Sequence, residues 1–98
     1  MKRRLTVRRQ ARADIQAAMA WYESELPGLG DLFLSRVEER MRVLAETPRL
    51  YPQVLESIRR APVSRFPYGI YYRERPDRIT VLAVFHFKQS PDRLRERE

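Results

Sequence analysis

The sequence predicts an α+β fold of order β-α-α-β-β-β, an antiparallel sheet with an N-terminal strand and a helical hairpin packed on one face. Three observations carry this reading. The apolar spacing changes from two to three or four after residue 10, Pro27-Gly28-Leu29-Gly30 divides the helical stretch, and two β-prone runs at 68–73 and 79–87 flank a polar turn.

Residues 2–8 alternate, with Leu5 and Val7 on one side and charged or hydroxyl side chains on the other, as in a half-buried strand. From Ala11, residues Ile15, Ala18, Met19, Tyr22 and Leu26 recur at helical steps, with Asp14, Gln16, Glu23 and Glu25 opposite. After the Pro-Gly break, Leu29, Phe33, Val37, Met41 and Leu44 form a second stripe, ended by Thr47-Pro48. So short a link makes the two helices an antiparallel hairpin. Residues 58–66 read as a strand interrupted by Pro62, either irregular or at a sheet edge, residues 68–73 as a better strand, and 74–78 as a turn. In 79–87 the two faces, Ile79/Val81/Ala83/Phe85/Phe87 and Leu82/Val84, are both apolar, which predicts an interior strand. The charged tail from Arg93 reads as a frayed short helix.

The chain of 98 residues suits one domain spanning 1–98, and no run of about 20 apolar residues or signal core is present, so a cytoplasmic protein without membrane contact is expected. Cysteine is absent and His86 is the only histidine, which predicts neither metal nor redox chemistry and no cofactor. Net charge is +7, and its distribution is uneven. Residues 1–12 hold six cations and no acid, 13–56 hold four arginines against eight acids, and 57–98 hold ten cations against five acids. The basic excess therefore sits at the two ends and predicts an acidic macromolecular partner. An acidic protein and a nucleic acid account for it equally well.

His86 could trade a proton near neutrality, or simply close the sheet with a hydrogen bond. No nucleophile elbow, phosphate loop or carboxylate pair is visible, which argues against the common hydrolase chemistries. What remains is a set of sheet arginines, Arg59, Arg60, Arg65, Arg73 and Arg75, with Lys88 beyond the last strand and Tyr68, Tyr71 and Tyr72 among them. Arginines beside aromatics can hold phosphates and stack on bases, or form a solvated edge that discourages strand pairing.

Ala13-Asp14-Ile15 with Trp21-Tyr22, Pro27-Gly28-Leu29-Gly30 before Phe33, Tyr51-Pro52, Ile58-Arg59-Arg60, Phe66-Pro67-Tyr68-Gly69-Ile70-Tyr71-Tyr72 and the run from Ile79 to His86 resemble the RelE/ParE superfamily of type II toxins nearly end to end. The resemblance implies a cognate antitoxin with an acidic or amphipathic C-terminal segment, held with the toxin in a hetero-oligomer. RelE-type members cleave ribosome-bound mRNA with basic side chains on the sheet. Here Gly69 and Gln89 stand where such arginines are expected, and the base-stacking tyrosine near the C-terminus has no match around Leu94. ParE-type members, which the run through His86 resembles more closely, poison DNA gyrase by binding. The resemblance therefore implies a ParE-like plasmid-stabilization toxin with DNA gyrase as target and nucleic acid as a secondary partner. Arg59, Arg60, Arg65, Arg73 and Lys88 are the candidate target contacts. The enzymatic alternative is an mRNA endoribonuclease using Arg59, Arg60, Arg65 and His86, and a third reading is a module that only binds its antitoxin. For the antitoxin, Trp21 and Leu32, which fall off the apolar stripes, are the candidate contacts; Trp21 could instead cap the core at its edge.

Overall fold

The computed structural model describes residues 3–89 and 91–98. The elements are β1 (Arg4–Val7), α1 (Arg9–Glu25), α2 (Leu29–Glu46), a 3-10 turn (Pro48–Leu50), β2 (Gln53–Leu55), β3 (Ile58–Pro62), β4 (Tyr68–Glu74), β5 (Arg78–His86) and a C-terminal 3-10 segment (Pro91–Arg97). The expected strand start at Lys2 lies outside the described residues.

The hairpin forms as the apolar spacing requires, and its turn is closed by side-chain chemistry. Gly28 takes φ +90°, which a glycine adopts without strain, and the Glu23 carboxylate accepts hydrogen bonds from the Gly28 and Gly30 amides at 2.9 and 3.0 Å. Free amides at the start of α2 are thus satisfied by the helix before it. Gly30 also sets how closely the helices approach, since a Cβ there would lie 2.7 Å from the Met19 carbonyl oxygen.

The sheet has five strands in the order β1-β5-β4-β3-β2. Four run antiparallel, as expected. β1, however, pairs parallel to β5: the chain re-enters the sheet through β2 at the far edge, and three antiparallel reversals bring β5 alongside β1 in the same direction. The short edge strand β2 arises in a stretch read as loop, and β3 stops at Pro62, where proline has no amide to continue the ladder. β5 is an interior strand, flanked by β1 and β4.

One register shift redistributes the side chains of β5. Tyr71 pairs with Ala83 but Tyr72 with Val81, so Leu82 is an extra residue, and the alternation reverses after it. Ile79, Val81 and Val84 therefore face the hairpin, while Leu82, Ala83 and Phe85 face away, correcting the strict alternation expected for this strand. The hairpin side is the main core, built around Phe33, Phe66, Ile70 and Tyr72, with Phe33 and Phe66 edge to face at 5.1 Å. Tyr72 donates to the Pro48 carbonyl at 2.6 Å, and burial pushes its pKa up to about 12.

The opposite face carries a second, smaller core of Ile58, Tyr71, Leu82, Phe85 and Leu94. Leu94 is 1% exposed, so the tail is docked rather than frayed. Its fastening is a partly buried ion pair: Arg97 Nη1 and Nη2 donate to Asp14 Oδ2 and Oδ1 at 2.8 and 3.0 Å. Asp14 also accepts the Val84 amide at 3.0 Å, Arg97 donates to the Leu82 carbonyl at 3.1 Å, and its guanidinium lies 4.9 Å from the Phe85 ring centre. The Asp14 bond holds the Arg97 pKa above its ordinary value.

Candidate functional site

The sheet's parity decides where each candidate arginine points. Arg59 pairs with Tyr72 and so faces the hairpin side, where its Nη1 donates to the Tyr51 carbonyl at 2.6 Å. Its neighbour Arg60 pairs with Tyr71 and faces the opposite, outer side. There the Arg60 guanidinium lies 5.3 Å from the ring centre of Phe87, a cation over an aromatic face. Phe87 is 46% exposed and lies just past β5, rather than in a strand core as its spacing suggested.

Gly69 makes this placement possible. A Cβ at that position would meet Arg60 Cγ and Cδ at 2.8 and 2.9 Å and Phe87 Cε1 at 3.2 Å. The aliphatic stem of Arg60 thus crosses the sheet over the bare backbone of Gly69. Arg60 therefore occupies the surface over the position where the RelE resemblance expects an arginine from β4. Among the described residues its guanidinium makes no hydrogen bond or ion pair, leaving its five N–H donors for a ligand.

Two further cations stand at the same end of the sheet. Arg65 lies in the turn between β3 and β4 at φ +69°, an unusual conformation for a non-glycine residue, and is exposed. Lys88 follows Phe87, whose amide donates to the Pro67 carbonyl at 2.8 Å, so the two turns adjoin. This end of the sheet therefore gathers Arg60, Arg65, Phe87 and Lys88.

The remaining candidates are elsewhere or engaged. Arg73 is on the outer face but donates to Glu98 at 3.2 Å, beneath the docked tail. Arg75 is at the far end of β4, bonded to the Glu74 carbonyl at 3.3 Å. His86 faces the hairpin side, 5.2 Å from the Tyr68 ring, and its Nδ1 accepts the Lys88 amide at 3.0 Å. Gln89 Oε1 accepts the His86 amide at 2.8 Å, so these two residues cap the end of β5. Of the four residues named for RNA cleavage, Arg59 and His86 face the hairpin side and Arg60 the other, with Arg65 in a turn.

Trp21 is 58% exposed and lines a shallow cleft with Asp14, Tyr68, Gln89 and Arg93; Leu32 stands on α2, 38% exposed, outside that cleft. A larger groove of about 440 Å³ runs between the helices and β1, lined by Val7, Ile15, Met19, Leu34, Val37 and Met41 with Arg12 and Glu38 at its rim. Ile15, Met19 and Met41 sit on the helical stripes that the spacing assigned to the core. Ile15 is buried there, whereas Met19 and Met41 remain partly exposed.

Residues 5–91 match the family model described as the ParE toxin of type II toxin-antitoxin system, parDE. The chain belongs to the ParE toxin family. Among solved structures, the chromosomal ParDE toxin-antitoxin system from P. aeruginosa is similar, at TM-score 0.78 and 19% identity, covering 87% of this chain and 96% of that one. No curated protein sequence matches the chain significantly. The fold shared with that ParDE structure is the hairpin-on-sheet architecture described above. Among the described residues of this ParE toxin, no group of three or more His, Cys, Asp or Glu is placed to hold a metal, and no helix is long and apolar enough to cross a membrane.

Proposed function

We propose that this ParE-family chain is a toxin that acts by binding DNA gyrase, and that a cognate antitoxin neutralises it in a hetero-oligomer. The observation favouring binding over cleavage is the dispersal of Arg59, Arg60 and His86 over two faces of the sheet. General acid–base cleavage needs its groups within hydrogen-bond reach of one substrate, whereas a binding surface needs only exposed, preorganised anchors. Arg60 over Phe87, with Arg65 and Lys88 beside them, is such a surface. It combines an exposed aromatic and a guanidinium, the residue types that dominate protein interfaces.

Trp21 and Leu32 are the proposed antitoxin contacts, supported by their exposure on the hairpin. The methionine-lined groove, which neither residue lines, also suits an amphipathic segment, because flexible apolar side chains adapt to a helix face. Supercoiling by purified gyrase tests the target: Arg60→Ala should weaken inhibition at least tenfold with the fold unchanged by circular dichroism. Full inhibition by Arg60→Ala would remove this surface from the reading. Cleavage of mRNA in a translating extract would replace gyrase with the ribosome.

A further inference from the structure

The parallel pairing of β1 with β5 creates a block of four side chains that neither the helices nor the tail accounts for. Arg4 stands opposite Arg78 and Thr6 opposite Thr80, in register. Their neighbours Leu5, Val7, Ile79 and Val81 pack against the hairpin-side core, so alternation puts all four on the outer face. Arg4, Thr6 and Arg78 are exposed and Thr80 is partly so. Adjacent strands are about 4.8 Å apart, and the next residue on the same face is about 6.6 Å along, so the two guanidiniums can each reach a phosphate of one backbone with the hydroxyls beside them.

Like charges opposite each other on neighbouring strands repel and are destabilising. No carboxylate relieves this pair: among the described residues, Arg4 and Arg78 form no ion pair. Glu74 faces the hairpin side, where Arg3 and Arg49 hold it at 3.0 and 3.1 Å. The other acids on adjoining elements are Asp77, in the turn, and Asp92, Glu96 and Glu98 at the C-terminal end, of which Glu98 is held by Arg73 at 3.2 Å. Arg4 and Arg78, one from each basic end of the sequence, therefore meet on this surface without an ion pair among the described residues.

We propose that Arg4, Arg78, Thr6 and Thr80 form a binding site for backbone phosphates of double-stranded DNA. Arginine and threonine are typical phosphate contacts, and a flat sheet edge with two paired guanidiniums suits a duplex backbone. An acidic protein segment fits less well, because the block offers no apolar anchor and interfaces between proteins depend on such anchors. The site is separate from the Arg60 surface, so it can exist in a toxin that leaves gyrase untouched.

Fluorescence anisotropy with a labelled 20-base-pair duplex, from 50 to 300 mM NaCl, tests it. Arg4→Ala/Arg78→Ala should weaken binding at least fivefold at 100 mM salt and lower the log–log salt slope by about 1.8, since each phosphate contact contributes about 0.9. Arg42→Ala, on the exposed side of α2, should change neither value. Arg4→Gln/Arg78→Gln should reproduce the loss, and circular dichroism checks that both variants are folded. A parent protein that does not bind the duplex at 50 mM salt overturns the proposal. So does a double variant with unchanged affinity and slope, or a site that binds inorganic phosphate but not the duplex.

Discussion

Breaking the ion pair that fastens the C-terminal segment should cost this toxin more stability than its place near the chain end suggests. Asp14 and Arg97 are 15% and 11% exposed and meet through two charge-assisted hydrogen bonds of 2.8 and 3.0 Å. Hydrogen bonds to charged groups contribute about 1.5–3 kcal/mol, against about 0.5 for a typical exposed pair. Asp14→Ala additionally leaves the Val84 amide without its acceptor, and Arg97→Ala removes the guanidinium from the Phe85 ring. Each single variant should therefore lose about 2–3 kcal/mol. That is also near the upper limit, because a tail that lets go returns Arg97 to water and leaves the main core intact. In a chain of this size it lowers Tm by about 8–20 °C. A double-mutant cycle by urea unfolding should give a coupling of about 1.5–2 kcal/mol between the two positions. A coupling below about 0.5 kcal/mol would mean that the bridge behaves as a surface pair and that Leu94 alone docks the segment.

Three other outcomes follow from packing and ionisation. Gly30→Ala should destabilise by about 1–2 kcal/mol in thermal unfolding, despite the better helix propensity of alanine, because its Cβ would meet the Met19 carbonyl at 2.7 Å. Tyr72 has a folded-state pKa raised to about 12, so its contribution is complete below the unfolded value near 10 and is lost as pH rises from 10 towards 12. Tyr72→Phe should flatten that alkaline decline in urea titrations, while costing about 1 kcal/mol at pH 7 for the lost bond to Pro48. Gly69→Ala should displace Arg60 and weaken gyrase inhibition about fivefold or more, yet shift Tm by only a few degrees, since the crowded atoms belong to a long, exposed side chain. Unchanged inhibition would show that the placement of Arg60 over Gly69 is irrelevant to the target.

The hairpin was legible because its apolar stripes run at one period for four turns in each helix, and the break at Pro27-Gly28 is chemically unambiguous. β4 and β5 were legible for the same reason. The bulge at Leu82 was not: both faces of 79–87 are apolar, so no polar residue marks where the alternation reverses. Nothing in residues 4–7 records the direction of the strand they will join, which is why parallel pairing of β1 emerged only in three dimensions. The docking of the tail was hidden because Leu94 is a single apolar residue among charges, and its anchor, Asp14, lies on α1.

At the site, the family resemblance named residue types but not the faces on which they lie. Arg59 and Arg60 are adjacent in a strand and so must face opposite sides, but Ile58 and Ala61 are both apolar and leave open which side is which. The sequence singled out Gly69 as a missing arginine; the structure adds that its missing side chain is what lets Arg60 cross the sheet. Trp21 and Leu32 were correctly read as lying off the apolar stripes, and both are exposed.

The central functional claim is tested most directly by ATP-dependent supercoiling of relaxed plasmid by purified gyrase, with the purified toxin titrated through the micromolar range. The expected result is dose-dependent inhibition that disappears when a stoichiometric amount of antitoxin is added. Undiminished supercoiling at micromolar toxin, from a preparation that still binds its antitoxin, would contradict it.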